Sequence, residues 1–412
     1  MRNDRLVVVG ASLAGLRAVE AARKSGYAGP ITLIGNEPHL PYDRPPLSKA
    51  FLDAGADVDG APVHPTFRDE ATLRDELDVD LRLGAPATAL APAGAERQVV
   101  LRGGDAVPYT RLIIATGGDA RMLPGGDELA GVHLLRTLDD AIAVRAALDA
   151  GARTVVVGAG FIGSEVASAA RKRGLSCTVL EALPVPLVRS VGEATGKVAA
   201  ELHRKYGTDL RCGVGVTALE GSSRVEKVVL DDGTVIEADL VVVGIGVRPA
   251  TGWLQGSGIA LHERDGGILC DETLATSLPG VYAAGDVAHF PNLLFGGQMM
   301  RVEQWTNAAE QGALAARNAL DPENAKPSAA VPYFWSDWYE SRIQFVGIPQ
   351  SEEIRVVSEE LGEEKFLALY RRGDQLGGVL TVDRQSQIMK YKRLIAQQAS
   401  WAEGLAFAGV TS

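Results

Sequence analysis

Arg5-Leu6-Val7-Val8-Val9-Gly10-Ala11-Ser12-Leu13-Ala14-Gly15 sets out a pattern that Thr154-Val155-Val156-Val157-Gly158-Ala159-Gly160-Phe161-Ile162-Gly163 repeats about 148 residues later. In each copy an apolar run enters a Gly-rich turn. A helix of about three turns follows (Leu16–Lys24, then Ser164–Arg173), and then a second apolar run, Ile31-Thr32-Leu33-Ile34 or Cys177-Thr178-Val179-Leu180. Ala and Val recur closely along both helices, as close packing on a sheet requires. The glycines have separate tasks: the first permits the tight turn, the second lets backbone approach a pyrophosphate, and the third lets helix lie close on strand. The diphosphate then sits at the positive end of the helix dipole. One such motif is weak evidence, because Gly-rich turns are common. Two copies, each in full strand–turn–helix–strand context, predict two Rossmann-like dinucleotide-binding domains in an α/β chain.

Each second strand ends in an acid: Glu37, 22 residues past Gly15, and Glu181, 18 past Gly163. A carboxylate there accepts hydrogen bonds from ribose hydroxyls. Glu181 is followed by Ala182-Leu183-Pro184, with no cation to neutralise a 2′-phosphate, so the second site is expected to prefer NADH to NADPH. Asn36 stands beside Glu37 and is an alternative ribose contact. Ser12 replaces the usual second Gly but is small enough for close approach.

Composition narrows the function classes. Of 412 residues, 46% are hydrophobic and 23% charged, which excludes disorder and coiled coil as readings of the whole. The formal charge is −11 and the pI about 5.2, so phosphate backbones repel the protein and nucleic acid is not an expected partner. No apolar run reaches the ~18–20 residues of a membrane helix, and Leu6–Val9 is too short for a signal-peptide core. A cytoplasmic address is the expectation. Cys177, Cys212 and Cys270 are far apart and form no CxxC, so neither a disulfide scaffold nor a metal site is expected. The six histidines, His39, His64 and His289 among them, are scattered and read as loop or surface residues. With 47 Gly and few aromatics, the chain suits many strand–loop–helix turns.

Two further segments bear on the first site: Leu112-Ile113-Ile114-Ala115-Thr116-Gly117-Gly118, and Thr276-Ser277-Leu278-Pro279-Gly280-Val281-Tyr282-Ala283-Ala284-Gly285-Asp286. With them the chain resembles the FAD-dependent pyridine-nucleotide reductases, of glutathione-reductase-like architecture. The resemblance implies FAD on the N-terminal motif, NAD(P)H on the inserted one, an interdomain crossover at Ala115-Thr116-Gly117, and Asp286 on the FAD ribityl chain. Read without it, Asp286 could equally cap a helix before Val287.

The loop His39-Leu40-Pro41-Tyr42-Asp43-Arg44-Pro45-Pro46-Leu47-Ser48-Lys49 holds no cysteine, where thiol-relay members of the superfamily carry one. The three cysteines fall in or beside predicted strands and read as packed apolar residues. The loop resembles that of the NADH:ferredoxin reductase family: the ferredoxin, rubredoxin and putidaredoxin reductases of oxygenase systems, including biphenyl-type dioxygenases. Apoptosis-inducing factor shares it. Leu135–Asp140, Gly244–Pro249, Arg301–Ala308 and Tyr333–Asp337 extend the resemblance from about residue 5 to at least 350.

Carried over by position, the resemblance implies FAD contacts at Gly10, Ser12, Leu13, Ala14, Gly15, Asn36, Glu37, Arg44, Lys49, Ala87, Ala115, Thr116, Gly117, Arg136, Gly285, Asp286, Gln304 and Trp305. It implies NAD contacts at Gly158, Gly160, Phe161, Ile162, Gly163, Glu165, Glu181, Arg189 and Gly246. Lys49 and Glu165 are the expected catalytic pair. A cation at the flavin N1–N5 edge favours its anionic reduced form, and the acid orients that cation and approaches the nicotinamide amide. An exposed loop lysine and an exposed helix acid are the plainer alternatives.

Without a thiol relay, electrons must leave to an external acceptor. A small [2Fe-2S] ferredoxin is expected, with rubredoxin as the second candidate, serving a cytochrome P450 or a ring-hydroxylating dioxygenase. An acidic ferredoxin needs local cations; Arg301, Arg342 and the cluster Lys390, Lys392 and Arg393 are candidates, as is a merely solvated charge run. Trp335 and Trp338 are candidates for the flavin's exposed face or for core. The expected domains are 1–113 with 244–322 (FAD), 114–243 (NAD) and 323–412 (α+β, C-terminal, with strands at Ile343–Val346 and Leu376–Val382), in a monomer or weak dimer. The competing readings are an NADH oxidase or quinone reductase, and an NADH-sensing binding protein like apoptosis-inducing factor.

Overall fold

The computed structural model describes residues 4–53, 55, 57, 58, 61, 62, 65–91, 96–357 and 365–410. His64 lies outside them. The chain divides into two compact units: Met1–Asp43, His64–Asp119 and Arg248–Pro332 form one, and Arg44–Val63, Ala120–Val247 and Tyr333–Ser412 the other.

The first unit is built on a five-stranded parallel sheet in the order Val281–Ala283, Arg111–Ile114, Leu6–Val9, Ile31–Ile34, Val79–Arg82. Leu6–Val9 is buried along its whole length, as expected for a strand covered on both faces. The helices Leu13–Lys24 and Trp305–Leu320 pack together through small residues. A Cβ on Gly312 would stand 2.1 Å from the Ala14 carbonyl oxygen, so only glycine lets the helices meet this closely. An antiparallel meander (Ala87–Leu90, Gln98–Leu101, Ala106–Pro108) and a hairpin (Ala288–Asn292, Gln298–Arg301) complete the unit.

The second unit repeats the parallel plan with Val132–His133, Leu240–Val243, Thr154–Val157, Cys177–Glu181 and Asp209–Cys212. It also carries an antiparallel sheet ordered Tyr333–Trp338, Ser341–Gly347, Gln375–Val382, Leu367–Arg372, Glu353–Val356, with helices Gln385–Ala396 and Trp401–Ala408. The expected strands at 343–346 and 376–382 fall inside two of these. The expected class, two Rossmann-like sheets and an α+β C-terminal region, is the one observed.

Trp338, Tyr339, Phe345 and Tyr370 of the C-terminal sheet share a core with Leu187, Val191 and Ala199 beside the second parallel sheet. Buried polar groups cross this contact. His203 Nε2 lies 3.1 Å from Ser164 Oγ, and its Nδ1 lies 2.7 Å from Tyr339 Oη, which is also 2.7 Å from Thr208 Oγ1. The His203 side chain is fully buried, so it is not the loop or surface residue expected for the histidines.

Burial pushes His203 down from its ordinary 6.5 to about 4, so the fold holds the ring neutral. Stability should be complete above about pH 6.5 and fall as pH drops towards about 4, by ~3 kcal/mol in all. His203→Gln should flatten that slope. Thermal unfolding followed from pH 8 to pH 4 checks both.

Candidate functional site

In the first unit the site begins where Leu6–Val9 ends. Gly10 has φ +118°, and a Cβ there would lie 2.1 Å from the Ala115 carbonyl oxygen. A Cβ on Gly15 would lie 1.9 Å from the Gly10 oxygen. The turn is thus pressed against the Ala115-Thr116-Gly117 segment, whose Ala115 N–H donates to Val9 O (2.7 Å) and whose Thr116 hydroxyl donates to Ala250 O (3.0 Å). Ser12 caps the helix Leu13–Lys24 in position only: its side chain makes no capping bond, and the first turn holds no acid. The first-turn N–H groups, with the positive end of the dipole, suit an anion.

Other expected residues gather around Ala14. A Cβ on Gly285 would stand 3.3 Å from Ala14 Cβ and 3.4 Å from Ala308 Cβ, and the Gly285 N–H donates to Gln311 Oε1 (2.9 Å). Gln304 precedes the helix Trp305–Leu320, so its first turn and that of Leu13–Lys24 both approach the Gly285-Asp286 turn. Gln311 Nε2 is buried without a partner among the described residues, a donor that a bound group could satisfy. Asp286 is half-buried and starts a short 3₁₀ turn with Gly285. Trp305 Nε1 donates to Asp43 Oδ1 (2.7 Å). Glu37 accepts from the Tyr42 hydroxyl (2.5 Å), Asn36 is exposed, and Ala87 is half-buried at the start of the meander. The cradle, the uncapped helix end and the unsatisfied amide fit a dinucleotide.

The second unit repeats the turn. Gly158 has φ +105°, and a Cβ there would lie 2.5 Å from Gly244 O; one on Gly163 would lie 2.1 Å from Gly158 O. Gly160 differs, since a Cβ there would meet nothing of the protein closer than 3.8 Å. The fold leaves that space open, as a close-lying pyrophosphate requires. Helix Phe161–Lys172 is also without a side-chain cap or a first-turn acid. Phe161 packs on Phe334 at 4.5 Å between ring centroids, and Ile162 is half-buried beside it. Glu181 is held by the turn itself: Oε2 accepts from Ala159 N–H and Oε1 from Leu183 N–H, both at 2.9 Å. Arg189 and Gly246 are exposed.

The loop Arg44–Asp53 belongs to this second unit. The Arg44 guanidinium donates to the Arg136 carbonyl, Arg145 lies over the Phe51 ring (5.7 Å), and Lys172 pairs with Asp53 (3.2 Å). Lys49 Nζ lies 2.7 Å from Glu165 Oε1, with side chains 18% and 2% exposed. The structure therefore brings these two together as an ion pair of a half-buried lysine and a buried acid, not as the exposed residues of the plainer alternative. The Ser48 hydroxyl donates to Glu165 Oε2 and the Ser336 hydroxyl to Oε1. Neither serine was singled out from sequence; a hydroxyl next to an expected catalytic lysine was the only local signal.

Several expectations change. Trp335 and Trp338 are an odd number of residues apart on one strand, so they face opposite ways. Trp338 is fully buried in the core, and Trp335 stacks on Tyr333. Arg301 is no docking cation: its side chain is 12% exposed and bound to Asp265 (2.9 Å) and Glu303 (2.6 Å). Arg342 is paired with Asp337 (2.6 Å). Lys390 and Arg393 are exposed on the helix Gln385–Ala396, while Lys392 lies over the Tyr333 ring. His289 is buried and stacks on His262 with centroids 4.1 Å apart. Both meet Asp265, and the three ligand-type atoms lie within 4.8 Å of one another. The Arg301 guanidinium already holds that carboxylate, competing with any cation. Burial pushes the Cys177 and Cys270 thiols up to about 12, and burial with the nearby Glu181 charge raises Cys212, so none is a ready thiolate. Among the described residues no helix is long and apolar enough to cross a membrane.

Residues 4–312 match the pyridine nucleotide-disulphide oxidoreductase family, and 333–407 the reductase C-terminal domain. The chain is 35% identical to the rhodocoxin reductase of Rhodococcus erythropolis, covering 95% of this chain and 90% of that one. It is 40% identical to the ferredoxin–NAD(+) reductase component of the biphenyl dioxygenase system of Paraburkholderia xenovorans LB400, covering 84% and 81%. Among solved structures, the covalent putidaredoxin reductase–putidaredoxin complex matches with a TM-score of 0.87 and 34% identity, covering 96% and 94%.

Gly312→Ala should force the Leu13–Lys24 and Trp305–Leu320 helices apart at a cost of ~1–3 kcal/mol or more. The expected result is a lower unfolding temperature with loss of nucleotide bound to the first unit, read by calorimetry and by the absorbance of the purified protein.

Proposed function

The chain belongs to the pyridine nucleotide-disulphide oxidoreductase family, and we propose that it is an FAD flavoprotein, a ferredoxin–NAD(+) reductase carrying electrons from NADH to a small [2Fe-2S] ferredoxin. The ferredoxin in turn serves an oxygenase, a cytochrome P450 or a ring-hydroxylating dioxygenase. Relatives named as ferredoxin reductases of oxygenase systems, matched over most of the chain, support the reading. The observation in this protein that carries it is the ion pair between Lys49, half-buried on a loop without cysteine, and the buried Glu165.

In this reading residues 1–113 and 244–322 hold FAD, 114–243 hold NADH, and 323–412 form the C-terminal domain. The two helix N-termini bind the diphosphates, and Glu181 takes the NADH ribose with the lone pairs its two backbone donors leave free. Bound FAD supplies the exchange between a two-electron donor and one-electron acceptors, so one NADH reduces two ferredoxins and releases one proton. Lys49 supplies positive charge where negative charge develops, and Glu165 holds its ammonium in place. The exposed Lys390 and Arg393 are the cations offered to an acidic ferredoxin, since Arg301 and Arg342 are engaged within the protein.

Anaerobic mixing of the purified yellow protein with NADH tests the reading. NADH should bleach the flavin faster than NADPH, and a [2Fe-2S] ferredoxin should restore the colour. Bleaching that neither ferredoxin nor rubredoxin reverses overturns the partner and favours the oxidase or quinone-reductase reading. Very slow bleaching with a persistent NAD complex favours the sensor. Glu181→Gln places an amide nitrogen against a backbone N–H; KM for NADH should rise about tenfold with little change in kcat.

A further inference from the structure

Glu165 receives more than its lysine. Oε1 accepts from Lys49 Nζ at 2.7 Å and from the Ser336 hydroxyl, and Oε2 accepts from the Ser48 hydroxyl. Trp338 Nε1 lies 2.8 Å from Ser336 Oγ. An indole nitrogen only donates, so Ser336 accepts from Trp338 and its own proton points to Glu165. The direction of the chain is thereby set: Trp338 to Ser336 to Glu165. Ser336 and Trp338 are fully buried and Ser48 is 6% exposed, so water does not substitute for these donors. Successive donors in a buried chain polarise one another and strengthen the last bond.

We propose that Ser336 is a positioning residue for the Lys49–Glu165 pair, through which the first strand of the C-terminal sheet keeps that carboxylate an acceptor and so keeps the lysine in place. The proposal rests on the function given above and assigns the C-terminal region a part in nicotinamide chemistry as well as in partner docking. Ser336 touches neither nucleotide in this account; it acts through Glu165. Among the described residues the contacts of Glu165 are Lys49 and the two hydroxyls. A carboxylate that loses one of its fixed donors is freer to turn, and the ammonium it holds is displaced with it.

The test compares Ser336→Ala, Ser336→Thr, Trp338→Phe and Ser48→Ala in the flavin-loaded protein. Two readouts are taken at neutral pH: the rate of flavin bleaching by saturating NADH, and the Kd of NAD+ for the oxidised protein from its visible spectrum. Ser336→Ala should bleach about tenfold more slowly, the scale of one lost hydrogen bond to a charged group, and its Kd for NAD+ should rise. Ser336→Thr, which keeps the hydroxyl, should restore the wild-type rate and Kd, and Trp338→Phe should slow bleaching less than Ser336→Ala. Rates and Kd values for Ser336→Ala and Ser48→Ala that match the wild type overturn the proposal, even if unfolding temperatures fall. If Ser336→Ala does not retain flavin, Ser48→Ala decides alone, because it removes a donor to the other oxygen of the same carboxylate. Failure of NADH to bleach the wild type would instead sink the functional reading itself.

Discussion

Close contact between a glycine turn and the backbone of a neighbouring strand end is the constraint on which both nucleotide-binding regions depend. At Gly10 the neighbour is Ala115 O, and at Gly158 it is Gly244 O; in each case a Cβ would overlap the carbonyl. Because the backbone φ is +118° and +105°, another side chain would be strained even if the space were open. That contact fixes where the following helix starts, and so where its free N–H groups point. It also ties the turn to the next parallel strand, at the carboxyl end of the sheet where open α/β folds bind ligands. Gly15 and Gly163 close the same unit from the helix side.

These features were legible in the sequence because their causes are local. A four-residue apolar strand, a glycine at a left-handed position and a helix of small residues lie within a few positions of each other, so spacing alone exposes them. The acid at the strand end is equally local, and Glu181 does lie against the turn, accepting from Ala159. The strands of the C-terminal sheet were legible for a related reason, since Ile343–Val346 and Leu376–Val382 are short, mostly apolar runs, and both are buried on both faces.

What could not be read locally depends on residues far apart in the chain. Arg301 looked like a free cation because Asp265, one of its two acidic partners, is 36 residues away, and His289 looked like a surface residue because its stacking partner His262 lies outside its own strand. Ser48 and Ser336 are ordinary serines until the fold sets them 117 and 171 residues from Glu165 in sequence, yet in hydrogen-bond contact with it. Trp338, for which core was one of the two expected placements, is a different case. Strand alternation alone separates it from Trp335, and the parity of the two positions would have sent one of them into the core.

The overall charge of −11 reads differently once the ion pairs are known. Many of the chain's cations are held by its own acids: Arg153 by Glu237 and Asp239, Arg173 by Asp149, Arg301 by Asp265 and Glu303, Arg342 by Asp337. A cation paired in this way contributes little to the field felt by an approaching protein, since the acid beside it cancels most of its potential within a Debye length of ~8 Å. Long-range attraction of an acidic partner must then come from cations with no acid on the same face. The helix Gln385–Ala396 carries the exposed Lys390 and Arg393 and has no acidic residue in its own sequence. A net negative charge is therefore compatible with attraction of an acidic partner at one cationic face, because acidic surface elsewhere disfavours other approaches.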